Sequence, residues 1–178
     1  KSIYAVVNNR RLFHTMLRAA SVAGKPFSKG SKFIRHLPLF LADLTDGRSL
    51  PAIAAKPLRD TIKKIRQPAG LKERAVFYAG CLIDFAYPEM GEALVKILNK
   101  GGGRHGSVPT RCTTRCGAPA RYSGAYEVAA KNAADNIEAL LAERADYVVS
   151  ACPTCTVALD HEFIATFQSL GQSKNMAR

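Results

Sequence analysis

The sequence predicts an α/β fold, a short parallel sheet with flanking helices, carried behind a helical N-terminal extension. Three observations predict it. From residue 74 onward, β-type and helical segments alternate in the order strand, helix, strand, helix, strand, helix, and such alternation argues for parallel strands joined by right-handed crossovers. Charge is unevenly distributed: residues 1–70 hold fourteen Lys and Arg against three Asp and Glu, and residues 71–178 hold twelve against eleven. All five cysteines fall in the second part, at positions 81, 112, 116, 152 and 155. The expected organisation is therefore a basic helical extension or linker over 1–70 and a cysteine-rich domain over 71–178.

In the extension, NRRLFHTMLRAASVA (9–23) is expected to be helical, with Leu12, Met16 and Ala19 or Ala20 on one face. GKPFSKGSK (24–32) is expected to be a loop, and Pro38 interrupts the apolar stretch 33–44. A turn is expected at 45–51, a basic helix over 55–66 and a linker over 67–73. In the domain, RAVFYAG (74–80) is a short β-type run. PEMGEALVKILN (88–99) is an amphipathic helix whose Pro88 suits the first turn and whose Glu89 and Glu92 suit the positive end of the helix dipole. A short strand is expected near 105–110, a long helix over 124–145 with Ser123 as its cap, a strand over 146–151 and a last helix over 156–170.

The totals narrow the function. Nearly half of the 178 residues are apolar, enough to bury a core. No apolar run approaches the length of a membrane span, and Lys1 to Leu12 lacks a signal-peptide pattern. The location expected is cytoplasmic, with peripheral attachment at the inner face of the membrane as a variant. An odd number of clustered cysteines fits metal or redox chemistry better than a disulfide scaffold.

The placement of the cysteines carries the functional reading. Cys81 follows the first strand, Cys116 the second and Cys152 the third, with Cys155 completing a CxxC pair. In an open parallel sheet the carboxyl ends of the strands line the ligand crevice. Three segments distant in sequence would thus deliver thiols to one place. A metal ion or cluster needs about four soft ligands converging in this way. The residues alone leave an iron–sulfur cluster, a structural zinc ion and a thiol–disulfide pair at Cys152 and Cys155 as competing readings.

The segments FYAGCLIDFAYPEMGEALVKIL, RCGAPARYSGAYEVAAKNAADNIEALL and DYVVSACPTCTVAL resemble the cysteine-rich CCG domain over about residues 72–165. That domain occurs in heterodisulfide reductases and in the iron–sulfur subunits of anaerobic glycerol-3-phosphate dehydrogenase, glycolate oxidase and the lactate-utilisation system. The resemblance implies an iron–sulfur centre, [4Fe–4S] in type, held by Cys81, Cys116, Cys152 and Cys155. It implies an electron-transfer module, rather than the substrate-oxidising subunit, of an oxidoreductase acting on a 2-hydroxy acid, glycerol 3-phosphate or a heterodisulfide. Flavin- or iron–sulfur-containing subunits would be its partners. Arg115 stands where the family has the first of two adjacent cysteines, and a guanidinium cannot ligate iron. Cys112, three positions earlier, is the candidate substitute. The family commonly has a second such unit and a ferredoxin-type domain. Neither is visible, and the first residue is not Met, so the chain is expected to be part of a longer polypeptide.

Other features read as structural. His14, His36, His105 and His161 lack metal-ligand spacing to one another. Tyr78 and Tyr122 are near cysteines but are expected to pack, and Asp84, Glu89 and Glu92 read as a solvated helix start. The basic stretch 1–70 fits an anionic membrane surface or an acidic partner. Nucleic acid is disfavoured, because aromatic interleaving and recognised binding motifs are lacking.

Overall fold

The computed structural model describes residues 9–28, 31–34, 49–62, 65, 73–100, 104–107 and 116–170. The chain forms two compact units, Lys1–Pro57 and Leu58–Arg178.

In the first unit, α1 (Arg10–Ala23) starts where Asn9 Oδ1 accepts the Leu12 N–H at 3.1 Å, the usual service of an Asn cap. Leu12 and Met16 are exposed, and the buried residue on this helix is Ser21. The face that the helical spacing selects is thus turned to solvent. The helix α2 (Lys25–Ser28) occupies part of the segment expected to be a loop. Two short strands, β1 (Phe33–Ile34) and β2 (Leu50–Pro51), pair antiparallel. The remainder of 33–44 and most of the turn at 45–51 lie outside the described residues.

The second unit opens with α3 (Leu58–Thr61), shorter than the helix expected over 55–66; most of the linker expected over 67–73 lies outside the described residues. Leu58 is buried in the core of this unit with Phe77, Ile83 and Val95. That packing ties α3 to the cysteine-rich part rather than to the basic extension. Arg59 clasps the Asp84 carboxylate through its side chain and its backbone N–H, the latter at 3.1 Å, and the guanidinium lies 5.1 Å from the centre of the Phe85 ring. Asp84 is 1% exposed. It is a buried, paired carboxylate, whereas the sequence suggested a solvated one.

The sheet has three strands, β3 (Glu73–Tyr78), β4 (Arg104–Ser107) and β5 (Tyr147–Ser150), all parallel and in the order β4–β3–β5. β3 comes first in the chain and sits in the middle. From Ala75 to Tyr78 it is buried without a break, as a central parallel strand with both faces covered must be. β5 is an edge strand, and its Tyr147 and Val148 are exposed. Between β3 and β4 run α4 (Gly80–Phe85) and α5 (Pro88–Lys100). α5 has Pro at its first position, Glu89 in its first turn and Lys100 in its last, all favourable to a helix.

Between β4 and β5 lie α6 (Ala118–Tyr122) and α7 (Tyr126–Ala142). Ser123 is not the cap of α7: its hydroxyl donates back to the Pro119 and Ala120 carbonyls and closes α6. Ala129, Ala130 and Ala133 bury the inner face of α7. After β5 the expected single helix is divided into α8 (Pro153–Val157), a π turn (Ala158–Glu162) and α9 (Phe163–Ser169). Because β4 and β5 flank β3 on opposite sides, the chain reverses its winding direction there. In parallel sheets this produces a crevice at the carboxyl edge, between the first strand and the neighbour reached last.

Candidate metal centre

Two strand ends and the start of α6 supply the thiols. The final pair of the β3–β5 register is Tyr78 with Ser150, so the chain leaves both strands level with one another. Cys81 follows β3 as the second residue of α4. Cys152 follows β5 as the N-cap residue of α8, with an extended backbone, and its N–H donates to Ser150 Oγ at 3.3 Å. Pro153 sets the first position of that helix, and Cys155 lies one short step into it, buried. Cys116 closes the long connection from β4 immediately before α6.

The four thiols are free and form one group. Cys116 and Cys155 are within hydrogen-bonding reach of each other, as are Cys152 and Cys155, and Cys81 feels the charge of Cys116 and Cys152. Cys116 is 6% exposed, Cys152 5% and Cys155 2%, while Cys81 is half-buried. Gly80 makes room for them. Its φ is +65°, and a Cβ there would collide with Cys155 Sγ, so the sulfur occupies the space where any other residue would carry a side chain.

Crowding sets the proton affinities. Burial, then the charges of Cys116 and Cys152, push the Cys81 thiol up to about 11. The hydrogen bond from Cys155 holds Cys116 down at about 7, with the Ala118 and Cys116 N–H groups helping and burial opposing. The same bond raises Cys155, which burial raises further. The pairing thus favours the thiolate at Cys116 and the thiol at Cys155.

The donor set fits a thiolate-bound centre in chemical type: four soft ligands, largely buried, with backbone N–H groups of Cys81, Leu82, Cys116 and Ala118 turned towards sulfur. Among the described residues, no group of three or more His, Cys, Asp or Glu is arranged to hold a metal ion as it stands. Binding would displace the thiol protons that now join the sulfurs.

Cys112 and Arg115 lie outside the described residues, as do His36 and the side chain of His105. His161 is exposed beside Asp160 Oδ2, at 3.0 Å. Tyr78 is fully buried. Tyr122 is exposed, and its hydroxyl donates to Glu162 Oε1 at 2.6 Å. Glu162, Arg121 and Thr166 were not singled out in the sequence. No motif marks them, because a π turn has no periodicity that could be read beforehand.

Fold and thiols together define a cysteine-rich α/β domain with four thiols grouped beyond the carboxyl edge of a parallel sheet. Residues 75–160 match the CCG family of cysteine-rich domains. An anaerobic glycerol-3-phosphate dehydrogenase component from Escherichia coli is 29% identical over 121 residues, which cover 65% of this chain and 30% of that protein. An uncharacterised iron–sulfur protein of Methanococcus maripaludis is 26% identical over 139 residues, 78% of this chain and 28% of that protein. Another from Methanocaldococcus jannaschii is 28% identical over 137 residues, covering 77% and 27%. The chain thus spans less than a third of the length of these relatives. No solved structure matches it.

Proposed function

We propose that the second unit holds an iron–sulfur cluster, [4Fe–4S] in type, on Cys81, Cys116, Cys152 and Cys155, and acts as an electron-transfer module of a larger oxidoreductase. The convergence of four thiols from three distant segments is the observation that carries this reading, and the iron–sulfur relatives support it. When bound, such a centre supplies one-electron transfer at a potential set by its surroundings. The residues of this chain would hold it, screen it from water on the Cys116, Cys152 and Cys155 side, and direct N–H groups to its sulfurs. Cys112 is the candidate further ligand. The substrate of the complex is proposed to be glycerol 3-phosphate, a 2-hydroxy acid or a heterodisulfide, oxidised or reduced on a flavin- or iron–sulfur-containing partner subunit. We place the protein in the cytoplasm, with residues 1–70 available to the inner membrane surface or to an acidic partner; among the described residues no helix is long and apolar enough to cross a membrane.

Purification without oxygen, followed by iron, acid-labile sulfide and zinc analysis, tests the reading. Iron and sulfide in equal amounts and a brown protein are expected, and replacing Cys81, Cys116, Cys152 or Cys155 by Ser should lower both. A colourless protein with stoichiometric zinc would overturn it.

A further inference from the structure

The inner face of α7 carries two amides among its alanines. Asn132 and Asn136 are buried there with Ala129, Ala130 and Ala133. Asparagine is a poorer helix former than alanine, and its amide must be taken out of water to stand on such a face. Asn136 meets that demand within the helix, where its Nδ2 donates to the Asn132 carbonyl at 2.7 Å. Asn132 does not. It is 6% exposed, and its Nδ2 is buried with no acceptor among the described residues. Shielding an N–H donor from water without an acceptor is unfavourable.

The surroundings of Asn132 indicate where an acceptor would arise. Gly117 has a φ of +81°, and a Cβ there would stand 3.3 Å from Asn132 Cβ and 3.1 Å from the Ala129 carbonyl oxygen. The turn that joins Cys116 to α6 is thus seated on Asn132 with no side chain between them. Cys116 itself shares a buried cluster with Ala130 and Ala133 of the same helix. Binding a metal removes the thiol protons and leaves thiolate sulfur, an acceptor of the kind the amide lacks.

We propose that Asn132 is a potential-setting hydrogen-bond donor of the thiol-bound centre: its amide, buried against the Cys116–Gly117 turn, donates to sulfur on the Cys116 side when the centre is bound and raises the reduction potential. This rests on the cluster assignment above. A charged sulfur accepts a stronger bond than a neutral thiol. An added electron makes the sulfurs more negative, so a donor beside them favours the reduced state, and hydrogen bonds to sulfur are among the means by which a protein sets such a potential.

The test uses the full chain in both states, with the same substitution at the two asparagines. In metal-free protein, urea unfolding should show Asn132→Ala losing less stability than Asn136→Ala, whose amide is in use. In cluster-loaded protein, a redox titration followed by electron paramagnetic resonance should place the midpoint of Asn132→Ala at more negative potential and leave that of Asn136→Ala unmoved. Asn132→Leu, which keeps the bulk of the side chain without its amide, should shift in the same direction and serves where Ala is not tolerated. Loss of the cluster from an Asn132 variant whose metal-free stability is intact would be the same effect at its limit. An unmoved midpoint in a loaded Asn132 variant overturns the proposal. So does a metal-free Asn132→Ala as destabilised as Asn136→Ala, since the amide would then serve the fold. A wild-type chain without iron and sulfide would instead overturn the cluster assignment, and this inference with it.

Discussion

Gly80 stands in the left-handed region with Cys155 Sγ against it, and two separate costs attach to replacing it. A left-handed backbone costs a non-glycine residue about 1–2 kcal/mol. A Cβ would also push the Cys155 sulfur out of the group. Gly124 has a similar φ, +79°, and open space around it, so only the first cost applies there. Gly80→Ala and Gly124→Ala should therefore lose comparable stability to backbone strain in urea unfolding, with Gly80→Ala losing more. Only Gly80→Ala should bind less iron per chain. Equal iron in both would show that the sulfur position at Gly80 is immaterial to binding.

The thiols offer a second prediction at this scale, for metal-free protein. The ultraviolet absorbance of thiolate should rise first with a midpoint near 7, from Cys116, and again at about 11, from Cys81. Cys155→Ala removes the largest cause of the Cys116 depression, so the first step should move up towards the ordinary 9.0. The linkage signs are opposite for the two groups. Cys116 is depressed, so its contribution to stability is present above 9.0 and is lost as pH falls through about 7. Cys81 is raised, so its contribution is present below 9.0 and is lost as pH rises through about 11. A first step that does not move in Cys155→Ala would refute the pairing.

Among the elements, α3 carries the sharpest prediction. Leu58 is 1% exposed, against Phe77 and Ile83, and Leu58→Ala should cost about 2–5 kcal/mol of unfolding free energy. Asp84→Ala should cost about 1–3 kcal/mol, because it removes the buried carboxylate that Arg59 clasps. An unchanged denaturation midpoint in Leu58→Ala would show that α3 is not part of the second unit's core.

Elements also show how far the sequence could be read. β3 and β5 were legible because apolar runs bounded by Gly and Cys admit few alternatives, and α5 because Pro88 and its acidic first turn announce a start. The placement of Cys81 and Cys152 at strand ends followed from that order; Cys116 was expected at the end of a strand near 105–110, but β4 ends at Ser107 and Cys116 stands two residues before α6. The rest depended on partners that local pattern does not contain. Asp84 looks solvated until Arg59, twenty-five residues away, is seen to reach it. Ser123 looks like a cap for the helix ahead, but its hydroxyl has nearer carbonyls behind it. The π turn has no periodicity of its own, so the continuous helix expected over 156–170 was reasonable on periodicity and still differs from the structure.

At the scale of the whole molecule, charge and sulfur occupy different stretches of sequence. The formal charge is +12, and almost all of it belongs to residues 1–70. If that stretch meets the membrane, the protein should sediment with vesicles containing anionic lipid at low salt and dissociate near 1 M salt, where the Debye length falls to about 3 Å. Vesicles of neutral lipid should not bind it. Indifference to lipid charge would favour the acidic protein partner. Along β5, a groove of about 540 Å³ is lined by apolar side chains that include Leu140, Val148 and Phe163.

The middle position of β3 has a consequence for biosynthesis. Its cysteine emerges from the ribosome early, but the companions that share its pocket are made much later, the last of them only after β5. No nascent intermediate can offer the complete set of sulfurs, so a metal delivered during translation would find at most part of a nest. On the proposed ligand set, loading would be deferred until the sheet has closed, and the colour of a loaded protein would certify that the chain had folded correctly as far as α8.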